Sequence, residues 1–158
     1  MKRRMRKNWK NYVPPSARDA LKACRDYADE KHNLSIERIA ALMGLEDHWV
    51  LYKWIGSGRM PAILIPTFEH VCKINLYSRW LAASNNRLLI EIPSGRNATA
   101  EDIQQLQTQL HEVTGMLMGF YAGNCEAEET LNSIQTSMES LAWHRGNVEQ
   151  HSQPELEL

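Results

Sequence analysis

The stretch Leu34–Pro61, LSIERIAALMGLEDHWVLYKWIGSGRMP, decides the fold. Ser35 stands where an N-cap belongs, because its hydroxyl can take an orphan amide of a first helical turn. Ile36, Ile39, Ala40 and Met43 follow it at helical spacing. Gly44 supplies the left-handed residue that ends this helix and turns the chain. A second apolar set, Val50, Leu51, Trp54 and Ile55, runs until Gly56-Ser57-Gly58 stops it. The small Ala40 lies four residues before the glycine and the aliphatic Val50 six after it. That spacing fits a helix-turn-helix, in which the small residue permits close approach and the aliphatic plugs the second helix into the core. An antiparallel helix pair joined through a glycine gives a similar pattern, so the surrounding chain has to decide.

Charge bears on that decision. The chain has 158 residues and is 43% hydrophobic, enough for one core plus an appendage. Its net charge of −1 hides an asymmetry: residues 1–96 hold 17 Lys and Arg against 9 Asp and Glu, and residues 97–158 hold one Arg against 10 acidic residues. A half carrying +8 suits a polyanion, since neutralising phosphates releases counterions; a half carrying −9 is repelled by it. The expectation is a DNA-reading half and a partner-reading half. Cys24, Cys72 and Cys125 are odd in number and lack metal-ligand spacing, so they read as thiols in a reducing compartment. Neither a membrane span nor a signal peptide is read, because Asn8, Lys10 and Asn11 follow the basic start where an apolar run would be needed. The expected location is the cytoplasm of a bacterial host cell.

Residues 1–15 read as a basic flexible arm ending at Pro14-Pro15. Lys2, Arg3, Arg4 and Arg6 either contact DNA, along the backbone or in a minor groove, or serve as a solubilising tail. Ser16 caps a first helix to about His32, with Ala17, Ala20, Leu21, Cys24, Tyr27 and Ala28 on one face. In the second helix of the pair, Val50 and Trp54 are expected to face inward, with Leu51 at the boundary. Asp47, His48, Trp49, Tyr52 and Lys53 then point outward, Lys53 toward phosphate and His48, Trp49 or Tyr52 toward base edges. Asp47 reads chiefly as an N-cap, with cytosine readout as the minor alternative. Ser35, Arg38, Arg59 and the backbone amides around Arg59 complete the candidate DNA contacts. The segment from Pro61 to Ala83 reads as a further helix with Pro66 in its first turn and Phe68, Val71, Cys72, Leu76, Trp80 and Leu81 buried. LLIEIP, from Leu88, reads as a short extended piece, and Pro93-Ser94-Gly95 as the boundary closing a domain at 16–96.

Residues 97–146 read as a helical oligomerisation region. Thr99 caps it, and Ile103, Leu106, Leu110, Val113, Leu117 and Phe120 alternate steps of three and four. Leu131, Ile134, Met138 and Leu141 repeat the pattern, which argues for coiled-coil-like packing. Ala122-Gly123-Asn124 makes either a hairpin of about 99–121 and 126–144 or one long broken helix, since the two seams stay in phase. Two short amphipathic helices bury little alone, so a homo-oligomer, dimer or tetramer, is expected. Residues 147–158 read as a disordered acidic tail.

With these residues in view, the chain resembles the CII-like regulatory proteins of P2-like temperate phages. The likeness lies in ALKACRDYADEKH, IERIAALMG and LYKWIGSG, in PTFEHVCKI, in YSRWLAASNNRLLIEIPSG, and in the turn AGNCEAEE. It is one of layout across residues 16–145, and the basic arm and bulky Trp49 fall outside it. It implies an all-α protein with a compact N-terminal helix-turn-helix (lambda-repressor-like) domain, followed by a helical hairpin or coiled-coil oligomerisation region. It also implies a transcriptional regulator of lysogeny acting as a symmetric oligomer at a promoter or operator, with RNA polymerase as a further partner. No cofactor or metal is expected. Gly-rich phosphate loops, GxSxG and HExxH are absent from the sequence, so catalysis is not expected. Two alternatives stay open: a protein-interaction adaptor on the same scaffold, and an excisionase-like architectural DNA-binding protein.

Overall fold

In the computed structural model, which describes residues 8–91 and 97–152, Ser16 and Asn33 bracket the first helix, α1 (Ala17–His32). The Ser16 hydroxyl accepts the Asp19 amide at 3.1 Å. Asn33 turns left-handed at φ 51°, so that Leu34 N–H closes on the Ala28 carbonyl at 3.1 Å. Six further helices follow among the described residues: α2 (Ile36–Leu42), α3 (His48–Ser57), α4 (Ile65–Cys72), α5 (Leu76–Ser84), α6 (Ala100–Tyr121) and α7 (Ala127–Ser152). Every regular element described is a helix, as an all-α chain requires; residues 88–91 form no strand, and Ile92 and Pro93 lie outside the described residues. The chain divides into two units, the first ending at Leu89 and the second starting at Ile90, a few residues ahead of the expected boundary.

In the first unit α1 packs against α3, α4 and α5, and α2 against α3 and α4. Leu21, Ile39, Leu51, Phe68 and Leu76 are wholly buried there, each contributing about 1.5–3 kcal/mol of apolar transfer. The expected helix after Pro61 is two helices. Lys73 takes a left-handed φ of 61°, and Ile74 N–H returns to the Glu69 carbonyl at 3.2 Å. Its buried side includes Phe68, Cys72 and Leu76, while Val71 and Trp80 are half-buried and Leu81 is exposed. Glu69 secures the new start. Its carboxylate, buried, accepts the Ser78 amide at 2.9 Å and the Ser78 hydroxyl at 2.5 Å, closing the first turn of α5.

The arm expected at 1–15 is anchored over its described part. Trp9 stands edge-on to Tyr27 at 5.5 Å, and Pro14 is buried. Lys2, Arg3, Arg4 and Arg6 lie outside the described residues.

The second unit is a hairpin, which removes the single broken helix as an alternative. Thr99 and Asp102 cap α6 reciprocally, Thr99 N–H donating to the Asp102 carboxylate at 2.7 Å. Gly123 (φ 78°) then reverses the chain, with Asn124 N–H on the Gly119 carbonyl at 2.8 Å. The helices run antiparallel, since Ala98 N–H donates to Asn147 Oδ1 at 3.2 Å. The turn is tight: a Cβ built on Gly119 would lie 2.5 Å from the Cys125 sulfur. The acidic tail expected from Asn147 is instead helical as far as Ser152, and the Arg145–Glu149 ion pair at 2.9 Å spans one turn of that extension.

Candidate nucleic-acid interface

Two capped helix starts define the candidate surface. At α2, the Ser35 hydroxyl accepts the Arg38 amide at 3.4 Å. The same hydroxyl is the main reason the Glu37 carboxyl is held below its ordinary range, with its own backbone amide next and His48 a minor contributor. Ser35 is therefore committed to local structure, and Arg38 is the exposed cation of this turn. Residues Met43 to Asp47 connect α2 to α3, with Gly44 left-handed at φ 74° as expected. Asp47 is the N-cap of α3: its Oδ1 accepts the Trp49 amide at 2.9 Å.

The side of α3 that faces the core differs by one residue from expectation. Leu51 and Ile55 are buried, whereas Val50 and Trp54 are only half-buried. Adjacent residues on a helix differ by about 100°, and both pairs were apolar, so periodicity alone could not choose between them. Seating Leu51 against the core turns Tyr52 and Lys53 to solvent together with Trp49, while His48 stays half-buried. Trp49 and Tyr52 are 59% and 54% exposed. Their rings and that of His48 form a continuous ladder, with centroids 5.1 Å apart for His48–Trp49 and 5.9 Å for Trp49–Tyr52. Aromatic side chains of this size, unburied and with polar tips, suit a partner that offers flat faces and hydrogen-bond acceptors.

The end of α3 does not supply the amides expected there. Gly58 N–H donates to the Trp54 carbonyl at 2.8 Å and Arg59 N–H to the same oxygen at 3.2 Å, so both are already engaged. Arg59 itself remains exposed. Gly58 is also where α3 meets α1: a Cβ there would stand 3.1 Å from the Arg18 Cβ, in addition to its left-handed φ of 76°. Arg38, Lys53 and Arg59 are thus the exposed cations on the two helices and their flank, with Glu37, Glu46 and Asp47 exposed around the helix starts. One further element escaped sequence reasoning. Arg79, on α5, holds Trp9, Lys10 and Tyr12 through their backbone carbonyls, and nothing in the local pattern around Arg79 signals that.

The expected oligomerisation residues divide between two environments. Val113 is buried within the hairpin, and Leu106, Leu117, Ile134 and Met138 are half-buried. Ile103, Leu110, Phe120, Leu131 and Leu141 are exposed. On α7 the buried positions are Thr130 and Ser137, each one residue ahead of the expected Leu131 and Met138. The apolar seam consequently straddles the edge of the hairpin contact. Near its open end a cleft of about 240 Å³ is lined by Asp102, Gln105, Gln109, Ser140, Trp143 and His144.

Among the described residues no group of three or more His, Cys, Asp or Glu side chains stands close enough to hold a metal ion, and no helix is long and apolar enough to cross a membrane. No protein-family model matches the chain, and no curated protein or solved structure matches it.

Proposed function

We propose that the chain is a sequence-specific double-stranded DNA-binding transcriptional regulator of phage or prophage type. In this reading α2 and α3 are a helix-turn-helix within a lambda-repressor-like unit, and α3 is the recognition helix. The observation that carries the reading is the division of α3, with Leu51 and Ile55 locked into the core and Trp49, Tyr52 and Lys53 presented outward. The +8 charge of residues 1–96 supports it, as does the capping role of Asp47, which gives a carboxylate at that position a reason other than partner choice. Lys53, Arg38 and Arg59 would meet phosphates, and His48, Trp49 and Tyr52 base edges or thymine methyls. The exposed apolar half of the hairpin seam, Ile103, Leu110, Leu131 and Leu141, would join copies into a symmetric oligomer, and the assembly would act at a promoter or operator in lysogeny control, with RNA polymerase as a further partner.

Selection of bound sequences from random duplex DNA with the full chain, near physiological salt, tests this. A repeated half-site with centres about one helical turn apart, or a multiple of it, is the expected result. Recovery of no motif, with binding that vanishes as salt rises, would reduce the interaction to charge alone. In that event the adaptor reading takes precedence, and it has one observation in its favour: Glu37, Glu46 and Asp47 are exposed at the same helix starts as the Trp49–Tyr52 rings, a surface suited to a basic, aromatic-binding protein partner.

A further inference from the structure

Arg18 lies in the first turn of α1, where that helix meets the end of α3. A Cβ built on Gly58 would stand 3.1 Å from the Arg18 Cβ and 3.2 Å from its Cα and backbone nitrogen. Alanine has all three of those atoms, so the contact is made without the guanidinium. Arg18 and Arg59, the residue after Gly58, are thereby brought to the same end of α3, and both are exposed. Neither makes an ion pair or a side-chain hydrogen bond among the described residues, whereas Arg25, Lys31 and Arg145 are paired with Asp26, Glu30 and Glu149. The acid next to Arg18 in sequence, Asp19, is engaged by the Ser16 hydroxyl, which donates to it at 2.6 Å.

The end of α3 does not call on these side chains either. Arginine beside a helix C-terminus can hydrogen-bond the last carbonyls. Here the Trp54 carbonyl already accepts Gly58 N–H at 2.8 Å, Arg59 N–H at 3.2 Å and the Ser57 hydroxyl at 3.4 Å, and the Lys53 carbonyl accepts the same hydroxyl at 2.8 Å. Two like charges gathered without an acid between them repel, and an anion shared by both removes that cost. A guanidinium presents paired donors that match phosphate oxygens.

We propose that Arg18, on α1 and outside the helix-turn-helix, forms with Arg59 a two-arginine clamp for one DNA phosphate beside the end of α3. This rests on the DNA-binding reading above. Such a contact carries no sequence information; it fixes how the duplex lies across the first unit.

The test is a set of fluorescence anisotropy titrations of the full chain on the selected motif and on a scrambled duplex, across a salt series. Arg18→Ala keeps every atom that touches Gly58, so its melting temperature should match the wild type. It should weaken binding to both duplexes by roughly tenfold and lower the slope of log affinity against log salt by about one. Arg18→Lys should restore the slope but only part of the affinity, since an ammonium lacks the planar fork. The double variant Arg18→Ala, Arg59→Ala should lose less than the product of the single losses, because the two share a phosphate. An Arg18→Ala protein with wild-type affinity and slope, alongside a weakened Arg59→Ala, overturns the proposal while the DNA reading stands. So does a fall in melting temperature with the slope unchanged, which would make Arg18 a counter-charge to the α3 dipole. Strictly multiplicative losses overturn the shared phosphate. A full chain that binds neither duplex overturns the DNA reading and this proposal together.

Discussion

Replacing Asp47 by asparagine and by alanine separates what its carboxylate does for the fold from what it does to a nucleic-acid partner. Asp47 Oδ1 accepts the Trp49 amide at 2.9 Å, at an exposed helix start. Alanine returns that amide to water, and the loss of such a cap costs about 1 kcal/mol. For a domain of roughly 60–100 residues this corresponds to a fall in Tm of about 4–8 °C. Asparagine presents the same oxygen and ranks beside aspartate as a cap; it forfeits only the charge–dipole part, about 0.3 kcal/mol, or roughly 1–2 °C. On DNA the charge is lost in both variants, and Asp47→Asn reports that loss without the cost of the missing cap. A carboxylate about 7 Å from a phosphate through water is repelled by about 0.6 kcal/mol, so Asp47→Asn should bind selected and scrambled duplexes alike nearly threefold more tightly. Far-UV circular dichroism melts and fluorescence anisotropy titrations give the two numbers. If Asp47→Asn loses affinity at one particular base pair, Asp47 reads that base and the capping argument is insufficient. If Asp47→Ala melts with the wild type, the hydrogen bond contributes nothing.

Lys53→Ala should weaken binding to every duplex and reduce the slope of log affinity against log salt by about one, measured by anisotropy across a salt series; a loss confined to one sequence would make Lys53 a base contact. Leu110 is exposed and Val113 buried on the same helix, so Leu110→Asp should abolish self-association with helicity intact, whereas Val113→Asp should unfold the hairpin. Light scattering with circular dichroism distinguishes these, and an unaltered assembly in Leu110→Asp would refute the proposed interface. Burial pushes the Cys24 thiol up to about 12 from an ordinary 9.0, and burial followed by the neighbouring Cys24 raises Cys72 as well. The unfolded chain releases these protons first, so their contribution is intact below pH 9 and falls by up to about 1.4 kcal/mol per pH unit per thiol above it. Denaturant melts across this range check the slope, and a Cys24→Ala variant should be less sensitive.

Local chemistry was readable where it acts within a few residues. Ser16, Ser35, Asp47 and Thr99 are caps because each offers an acceptor to an amide two or three positions on, and Gly44 and Gly123 turn left-handed because glycine does so without a side-chain penalty. What escaped depends on contacts between distant parts. Whether Val50 or Leu51 enters the core is decided by α1 and α2, against which α3 packs, not by α3 itself. The break at Lys73 carries no glycine or proline to announce it; the buried Glu69 bonds that start α5 stabilise it instead. The Arg79 contacts span 67 to 70 residues of sequence and address backbone, which has no identity to read. Within the hairpin, the heptad pattern marked an apolar stripe, but the turn dictates which edge of that stripe faces the neighbouring helix.

The tight turn between α6 and α7 has an evolutionary consequence. With the Cys125 sulfur 2.5 Å from where a Cβ on Gly119 would stand, alanine at 119 forces the thiol aside, although alanine is worth about 1 kcal/mol over glycine in a helix interior. The Cys125 Cβ lies 3.7 Å from that point, an ordinary contact, so Cys125→Ala clears the obstacle. Gly119→Ala should therefore gain less stability alone than in the Cys125→Ala background, a sign of coupling that a double-mutant cycle measures. Mutational paths through this turn are then ordered by benefit: loss of the thiol comes first, and a side chain at position 119 brings its full gain only after it.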